Sequence, residues 1–287
     1  MSEPHTWRLV VLSYVQVEPL LRARQAGKPS AMTSPDLGLT TVEVALLPEG
    51  VLFPGGERLS WQRLEEIDES RTKCFLVEDG HARPIEMFSE QMNRVYTLMP
   101  TERAPTLLLS GIPMHRIKGI DPYTDTFLKM RAIAPVIGRV LDTATGLGYT
   151  AIEAAKTAEQ VITIEIDPAV LDVARLNPWS QALFDNPTII QRIGNSFDVV
   201  QEFEDNSFAR IIHDPPMFSL AGELYSLAFY RQLYRVLRPG GRLLHYVGNL
   251  ERKSGRGIAR GVALRLQEAG FARVTKRPEA FSLVAIK

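Results

Sequence analysis

The chain has 287 residues, 45% of them hydrophobic and 23% charged, with 33 basic side chains against 33 acidic ones. That length admits two domains, the composition is ordinary for a globular protein, and zero net charge excludes a global electrostatic pull on nucleic acid. A single cysteine, Cys74, excludes an internal disulfide and a cysteine zinc cluster, and the apolar runs fall far short of the ~20 residues that span a bilayer.

The opening Met-Ser-Glu-Pro-His-Thr-Trp-Arg lacks the basic region and apolar core of a secretory leader, so a cytoplasmic location is expected. Trp7 to Val17 reads as a strand and Pro19 to Gln25 as a short helix. Leu39 to Leu47 alternates enough for a strand, and Pro54-Gly-Gly marks a turn. Ser60 is a plausible cap for a helix whose apolar residues fall at Trp61, Leu64 and Ile67. Cys74 to Phe88 reads as two strands joined at Asp79-Gly80. This N-terminal part is expected to be a small α+β domain over residues 1–118, with no catalytic constellation. A role in gripping the substrate and a merely structural role are equally open.

The second part, residues 119–287, alternates strand and helix. Phe127 to Ile137 suits a helix, and Val140-Leu-Asp a buried strand leading into a turn with Gly146 and Gly148 and an Ala-rich helix. Val161 to Asp167 is a second buried strand ending in acids. Pro168 to Leu176 suits a helix, Thr188 to Gln191 a strand, Phe197 to Phe203 a helix, and Phe208 to His213 a strand that stops at Asp214-Pro-Pro. A helix with apolar residues at 224, 227, 228, 233, 234 and 237 ends at Arg238-Pro-Gly-Gly. A strand over Arg242–Val247, a helix over Ile258–Ala269 and a closing hairpin complete the chain. Such alternation argues for a parallel sheet covered on both faces. A glycine turn between strand and helix lets a ligand approach free N–H groups, and an acid about 20 residues on suits a ribose. Glu165 stands there, so a nucleoside-containing cofactor is expected.

Taken in order, the glycine turn, Glu165, Asp214-Pro-Pro and Arg238-Pro-Gly-Gly resemble the class I S-adenosylmethionine-dependent methyltransferases. The resemblance covers about residues 120–287. Within that class the runs Leu141–Tyr149, Ile211–Ser219 and His245-Tyr-Val-Gly-Asn resemble an uncharacterised predicted methyltransferase family known chiefly from archaea. It implies a mostly parallel seven-stranded α/β sheet with helices on both faces and S-adenosylmethionine as cofactor. Asp142, Thr143, Gly146 and Gly148 would border the methionine part. Glu165 would bind the ribose, Ile166 pack on the adenine, and Asn195 and Ser196 stand where the family usually has an Asp at the adenine amino group. Ala144 replaces the family's usual Gly. Tyr123 to Thr126 resembles a segment that closes over the cofactor, which assigns Tyr123 and Thr126 to the site.

Asp214-Pro-Pro-Met-Phe carries the chemistry. A planar amine is a poor nucleophile, and a carboxylate with a neighbouring carbonyl accepts its hydrogens and orients its lone pair. Pro215 and Pro216 stiffen that loop, and Phe218 is assigned the stacking role that an aromatic fourth residue normally plays, since Met217 occupies that position. A C5-methylating mechanism needs a cysteine, and Cys74 lies outside every motif. Asp214 as a turn cap, and His213 and His245 as packing residues rather than bases, are the bland alternatives; Glu223 and Tyr225 are pocket residues or a solvated helix start. Residues 251–277 hold 8 basic against 2 acidic side chains, which suits either a phosphate-gripping loop or a solvated surface. The expected activity is methyl transfer to a nitrogen of an RNA base. The rivals are a small-molecule methyltransferase or aminopropyl transferase using a similar cofactor, and a non-catalytic cofactor-binding module, which the intact Asp214-Pro-Pro argues against. No metal site is expected.

Overall fold

The computed structural model describes residues 9–287, so the expectations placed on Trp7 and on the opening eight residues lie outside the described residues. It divides into two compact units: the described residues up to Tyr123 together with Asp172–Gln181, and Thr124–Leu171 with Ala182–Lys287.

The first unit holds three antiparallel sheets. One pairs Val10–Leu12 with Phe75–Glu78 and that strand with His81–Pro84; a second runs Ser30–Thr33, Val42–Leu46, Gly50–Leu52, Arg58–Ser60; the third runs Glu86–Ser89, Arg94–Met99, Thr106–Leu109, Ile112–Pro113. The expected long first strand ends at Leu12, because Ser13 starts a helix over Tyr14–Gln25 through a capping box with Gln16. The helix at Trp61–Glu69 forms as expected: Ser60 accepts from Arg63 N, and Trp61, Leu64 and Ile67 are its buried residues. They pack with Leu12, Leu20 and Phe53 in the core. The Asp79-Gly80 turn also forms, both residues at positive φ as a tight hairpin demands.

In the second unit seven strands form one sheet: β1 (Arg139–Asp142), β2 (Gln160–Glu165), β3 (Ile189–Ile193), β4 (Phe208–His213), β5 (Leu237–Tyr246), β6 (Arg273–Arg277) and β7 (Ser282–Ile286). Their order is β3-β2-β1-β4-β5-β7-β6, parallel throughout except for β7, which runs antiparallel to both neighbours. The central strands β1, β2 and β4 are almost wholly buried, as covering of both faces requires; on one face Leu141, Ile162, Ile164, Ile211 and Leu243 pack with Phe229, Tyr230, Leu233, Val262 and Leu266 from helices. The chain leaves β1 for β2 on one side and later returns to β4 on the other. The crevice for ligands in such a sheet opens at that reversal, outside the strands' carboxyl ends.

The helices of this unit depart from expectation mainly at their starts. Helix α1 spans Pro122–Ile133 rather than 127–137, closing before Pro135, and this brings Asp125 and Lys129 into one helix. Helix α2 (Tyr149–Ala155) follows the glycine turn, and α3 (Pro168–Arg175) follows β2. Helix α4 covers only Ser196–Val199 before a 3-10 turn at Val200–Glu202. Helix α5 (Leu227–Val236) is capped by Ser226 and preceded by a separate 3-10 turn, Gly222–Tyr225. Arg238-Pro-Gly-Gly lies inside β5, where Gly240 takes φ +71° and the register against β4 shifts. Helix α6 begins at Lys253, so the run expected as a basic loop is the cap and first turns of a helix.

Candidate active site

β1 ends at Asp142, which is fully buried. Its Oδ2 accepts from the hydroxyls of Thr150 at 3.1 Å and Thr163 at 2.9 Å, and Thr145 bonds Thr163 in turn at 2.7 Å. Oδ1 has no hydrogen-bond partner. Burial lifts the carboxyl to about 7, opposed by the two threonines and by the backbone N–H of Ala144 and assisted by the charge of Asp214. A buried acceptor left open at the mouth of a sheet fits a ligand donor, such as an ammonium group.

The turn after β1 is shaped by two glycines at positive φ, +52° at Gly146 and +78° at Gly148. A Cβ on Gly148 would stand 2.7 Å from Leu183 Cδ2, whereas one on Gly146 would meet open space. Ala144 has no positive φ, so the loop keeps its form without the family's usual glycine. Thr143 is buried; its N–H donates to Ile212 O, and its carbonyl accepts from Ser196 Oγ at 2.6 Å.

β2 ends at Glu165. Its Oε2 accepts from Gly146 N at 2.9 Å and Oε1 from Asp167 N at 3.1 Å, so the same carboxylate anchors the glycine turn. Burial lifts it to about 7 against those hydrogen bonds. Ile166, next along, is 39% exposed, an unusual state for an isoleucine following a buried strand. Asn195 caps α4 by accepting from Phe197 N at 2.9 Å and donates to Glu223 at 2.9 Å. Thr126 is buried within α1, while Tyr123 counts with the first unit, where its ring lies 5.5 Å from Trp179.

β4 delivers Asp214. Lys129 Nζ donates to its Oδ2 at 2.6 Å and pairs with Asp125 Oδ2 at 2.8 Å, with the ring of Tyr246 4.6 Å away. Lys129 is 2% exposed and Asp125 fully buried, whereas the Asp214 side chain keeps 20% exposure. The two carboxylates hold Lys129 above its ordinary pKa although burial works the other way. Burial raises Asp214, opposed by Lys129. The sequence reading missed Lys129 and Asp125; the spacing Asp125-x-x-x-Lys129 was the available signal, and starting the helix at Phe127 hid it.

Tyr225 fixes the Asp214 loop by donating to Pro216 O at 3.0 Å. Phe218 stands edge-on to Tyr225 with 53% exposure, and Met217 beside it is 48% exposed. His213 and His245 are packing residues. His213 Nε2 donates to Leu224 O at 2.9 Å, so Nδ1 accepts from Thr143 Oγ1 at 2.7 Å; burial drives its pKa down to about 3. His245 Nδ1 donates to Tyr246 O and Nε2 accepts from the Tyr230 hydroxyl, both at 2.8 Å, with its pKa likewise lowered by burial. Cys74 is buried with its thiol pKa raised by desolvation, an inert setting for a nucleophile. Among the described residues no cluster of metal-binding side chains occurs, and no helix is long and apolar enough to cross a membrane.

Residues 140–241 match the family model for a methyltransferase domain. With the sheet order, that match gives the second unit a class I S-adenosylmethionine-dependent methyltransferase domain. The chain is 44% identical over 239 residues to the uncharacterised protein MJ1233 of Methanocaldococcus jannaschii, covering 82% of this chain and 80% of that one, and it belongs to the same family. A polyamine aminopropyltransferase of Aeropyrum pernix is 32% identical over 110 residues, 36% of this chain and 35% of its own. The crystal structure of spermidine synthase from Thermotoga maritima shares the fold at TM-score 0.57 and 20% identity, over 70% of this chain and 71% of that one.

Proposed function

We propose that the chain transfers a methyl group to a nitrogen acceptor held at Asp214, the exocyclic amine of an RNA base being the acceptor class. The observation that carries this reading is the Asp214 loop itself: one carboxylate oxygen tied down by Lys129, and Met217 and Phe218 exposed beside it as apolar surface for a flat ring. When bound, S-adenosylmethionine supplies a methyl on a sulfonium, which an amine displaces in line. Asp142 with its open Oδ1 would hold the methionine ammonium, Thr143, Gly146 and Gly148 would border that part, and Glu165 would take the ribose hydroxyls. Ile166 would cover the adenine, with Ser196 and Asn195 near its edge. Asp214 accepts a hydrogen of the acceptor nitrogen, orients its lone pair, and takes the proton that the methylated nitrogen sheds. Alignment of this kind supplies much of the rate in a displacement. Residues 1–118 stand in this reading as an accessory domain.

Aminopropyl transfer is the second reading, favoured by the similarity to the polyamine aminopropyltransferase and by the carboxylates Asp125, Asp142 and Asp214 at the site. Offering labelled S-adenosylmethionine with RNA, and its decarboxylated form with a diamine, separates the two. Methyl incorporation into RNA, abolished by Asp214→Ala while calorimetry still registers cofactor binding, is the expected result. Label passing only from the decarboxylated cofactor to the diamine overturns it.

A further inference from the structure

Lys129 is a nearly inaccessible cation between two carboxylates, and its hold on one oxygen of Asp214 calls for a reason. Taking an ammonium out of water is costly unless its pairing is good, and a surface pair would stabilise the fold as well without burial. The arrangement is also asymmetric. Asp125 lies one turn away on the same helix and is fully buried, while Asp214 lies across on β4 and keeps a fifth of its exposure. Lys129 therefore reaches from a pair internal to α1 to the one carboxylate that meets the outside.

We propose that Lys129 is a positioning residue: it grips Oδ2 of Asp214 so that Oδ1 alone faces the acceptor, while Asp125 shares the same ammonium and draws on its charge. This deepens, and rests on, the assignment of Asp214 to the acceptor. The groups around Asp214 agree on the need. Asp142 on β1 and Asp214 repel each other when both are ionised, Tyr225 is a neutral neighbour, and His213 beside it is held neutral. Lys129 is the cation that offsets burial and the repulsion from Asp125. An opposite charge within ~4–6 Å lowers a carboxyl by about 1–3 units, so the lysine decides whether Asp214 is an acceptor at neutral pH. The ring of Tyr246 over the ammonium adds a further contact that resists its withdrawal.

Carbon-13 NMR of the full chain labelled at aspartate carboxyls tests this without any acceptor, with Asp214→Asn assigning the signal. Lys129→Met is expected to raise the Asp214 titration midpoint by more than about one unit. Lys129→Arg restores it to within ~0.5 unit, since charge matters here more than shape. Asp125→Asn moves it the opposite way, downward, and does so even if Lys129→Met fails to fold. A midpoint in Lys129→Met within ~0.3 unit of the parent, or one that stays or rises in Asp125→Asn, overturns the proposal. Because the readout is a carboxyl titration, absence of methyl transfer in the parent protein would sink the assigned activity and leave this result standing.

Discussion

Asp142 and Glu165 do two opposed things. Each is buried at the end of a strand with its carboxyl lifted to about 7, so the folded chain holds protons that an unfolded one releases near pH 4. At pH 8 both must ionise without full solvation, and the fold bears that cost. Asp142→Asn removes the buried charge and keeps the shape. We predict that it raises unfolding stability at pH 8 by roughly 1–3 kcal/mol, within the limit set by 1.36 kcal/mol per pKa unit. It is expected at the same time to weaken S-adenosylmethionine by tenfold or more, because the open Oδ1 is where an ammonium group would bind. Denaturant titration and calorimetry on the same variant read both. A variant that is less stable and binds equally well would take Asp142 out of the site.

At the scale of elements, the glycine turn separates fold from function within three residues. Gly148 sits at φ +78° with Leu183 in the way of any side chain, whereas Gly146 sits at φ +52° with free space before it. Gly148→Ala is expected to cost about 1–3 kcal/mol of stability, and Gly146→Ala about 1 kcal/mol or less, the strain of a left-handed residue without a clash. Cofactor affinity should reverse that ranking relative to stability: Gly146→Ala fills the open space and loses binding in a protein that still folds. Thermal unfolding and calorimetry on both variants check this, and equal losses for the two would remove the distinction. Why the turn was legible is physical. An apolar strand, two glycines and a small-residue helix are each local signals, as were Ser60 before Trp61 and Asp79-Gly80 between strands. What local pattern did not reveal came from capping and tertiary partners. Ser13 with Gln16 began a helix where strand was expected, Asp125 and Lys129 meet Asp214 only through the fold, and Asn195 spends its side chain on a cap and on Glu223. Arg238-Pro-Gly-Gly reads as a break but is carried into β5 by pairing with β4.

For the molecule as a whole, pH acts through buried groups whose signs differ, with Asp142, Glu165 and Asp214 raised and His213 and His245 lowered. Asp142 and Glu165 are raised, so the stability they confer is present below about pH 4 and is lost as pH rises through 7. His213 and His245 are lowered, so their contribution is present above about pH 6.5 and is lost as pH falls. Between about pH 5 and 6.5 two protons held by the native carboxyls balance two taken up by unfolded histidines, and the pair of effects cancels. Above pH 6.5 the unfolded histidines shed their remaining half-proton, returning about 0.4 kcal/mol apiece, while the carboxyls change more. Each carboxyl then gives up about 0.5–1 kcal/mol by pH 8, from the same linkage. The protein without cofactor is therefore expected to unfold a few degrees lower at pH 8 than at pH 6.5. Ligand linkage runs the other way, because the ionised carboxylates are the forms that accept from an ammonium and from ribose hydroxyls. Saturating S-adenosylmethionine should stabilise more at pH 8 than at pH 6, closing the gap between the two curves. Thermal unfolding at both pH values, with and without cofactor, measures all four numbers. A cofactor gain that shrinks as pH rises would mean that neither carboxylate meets the ligand in its charged form.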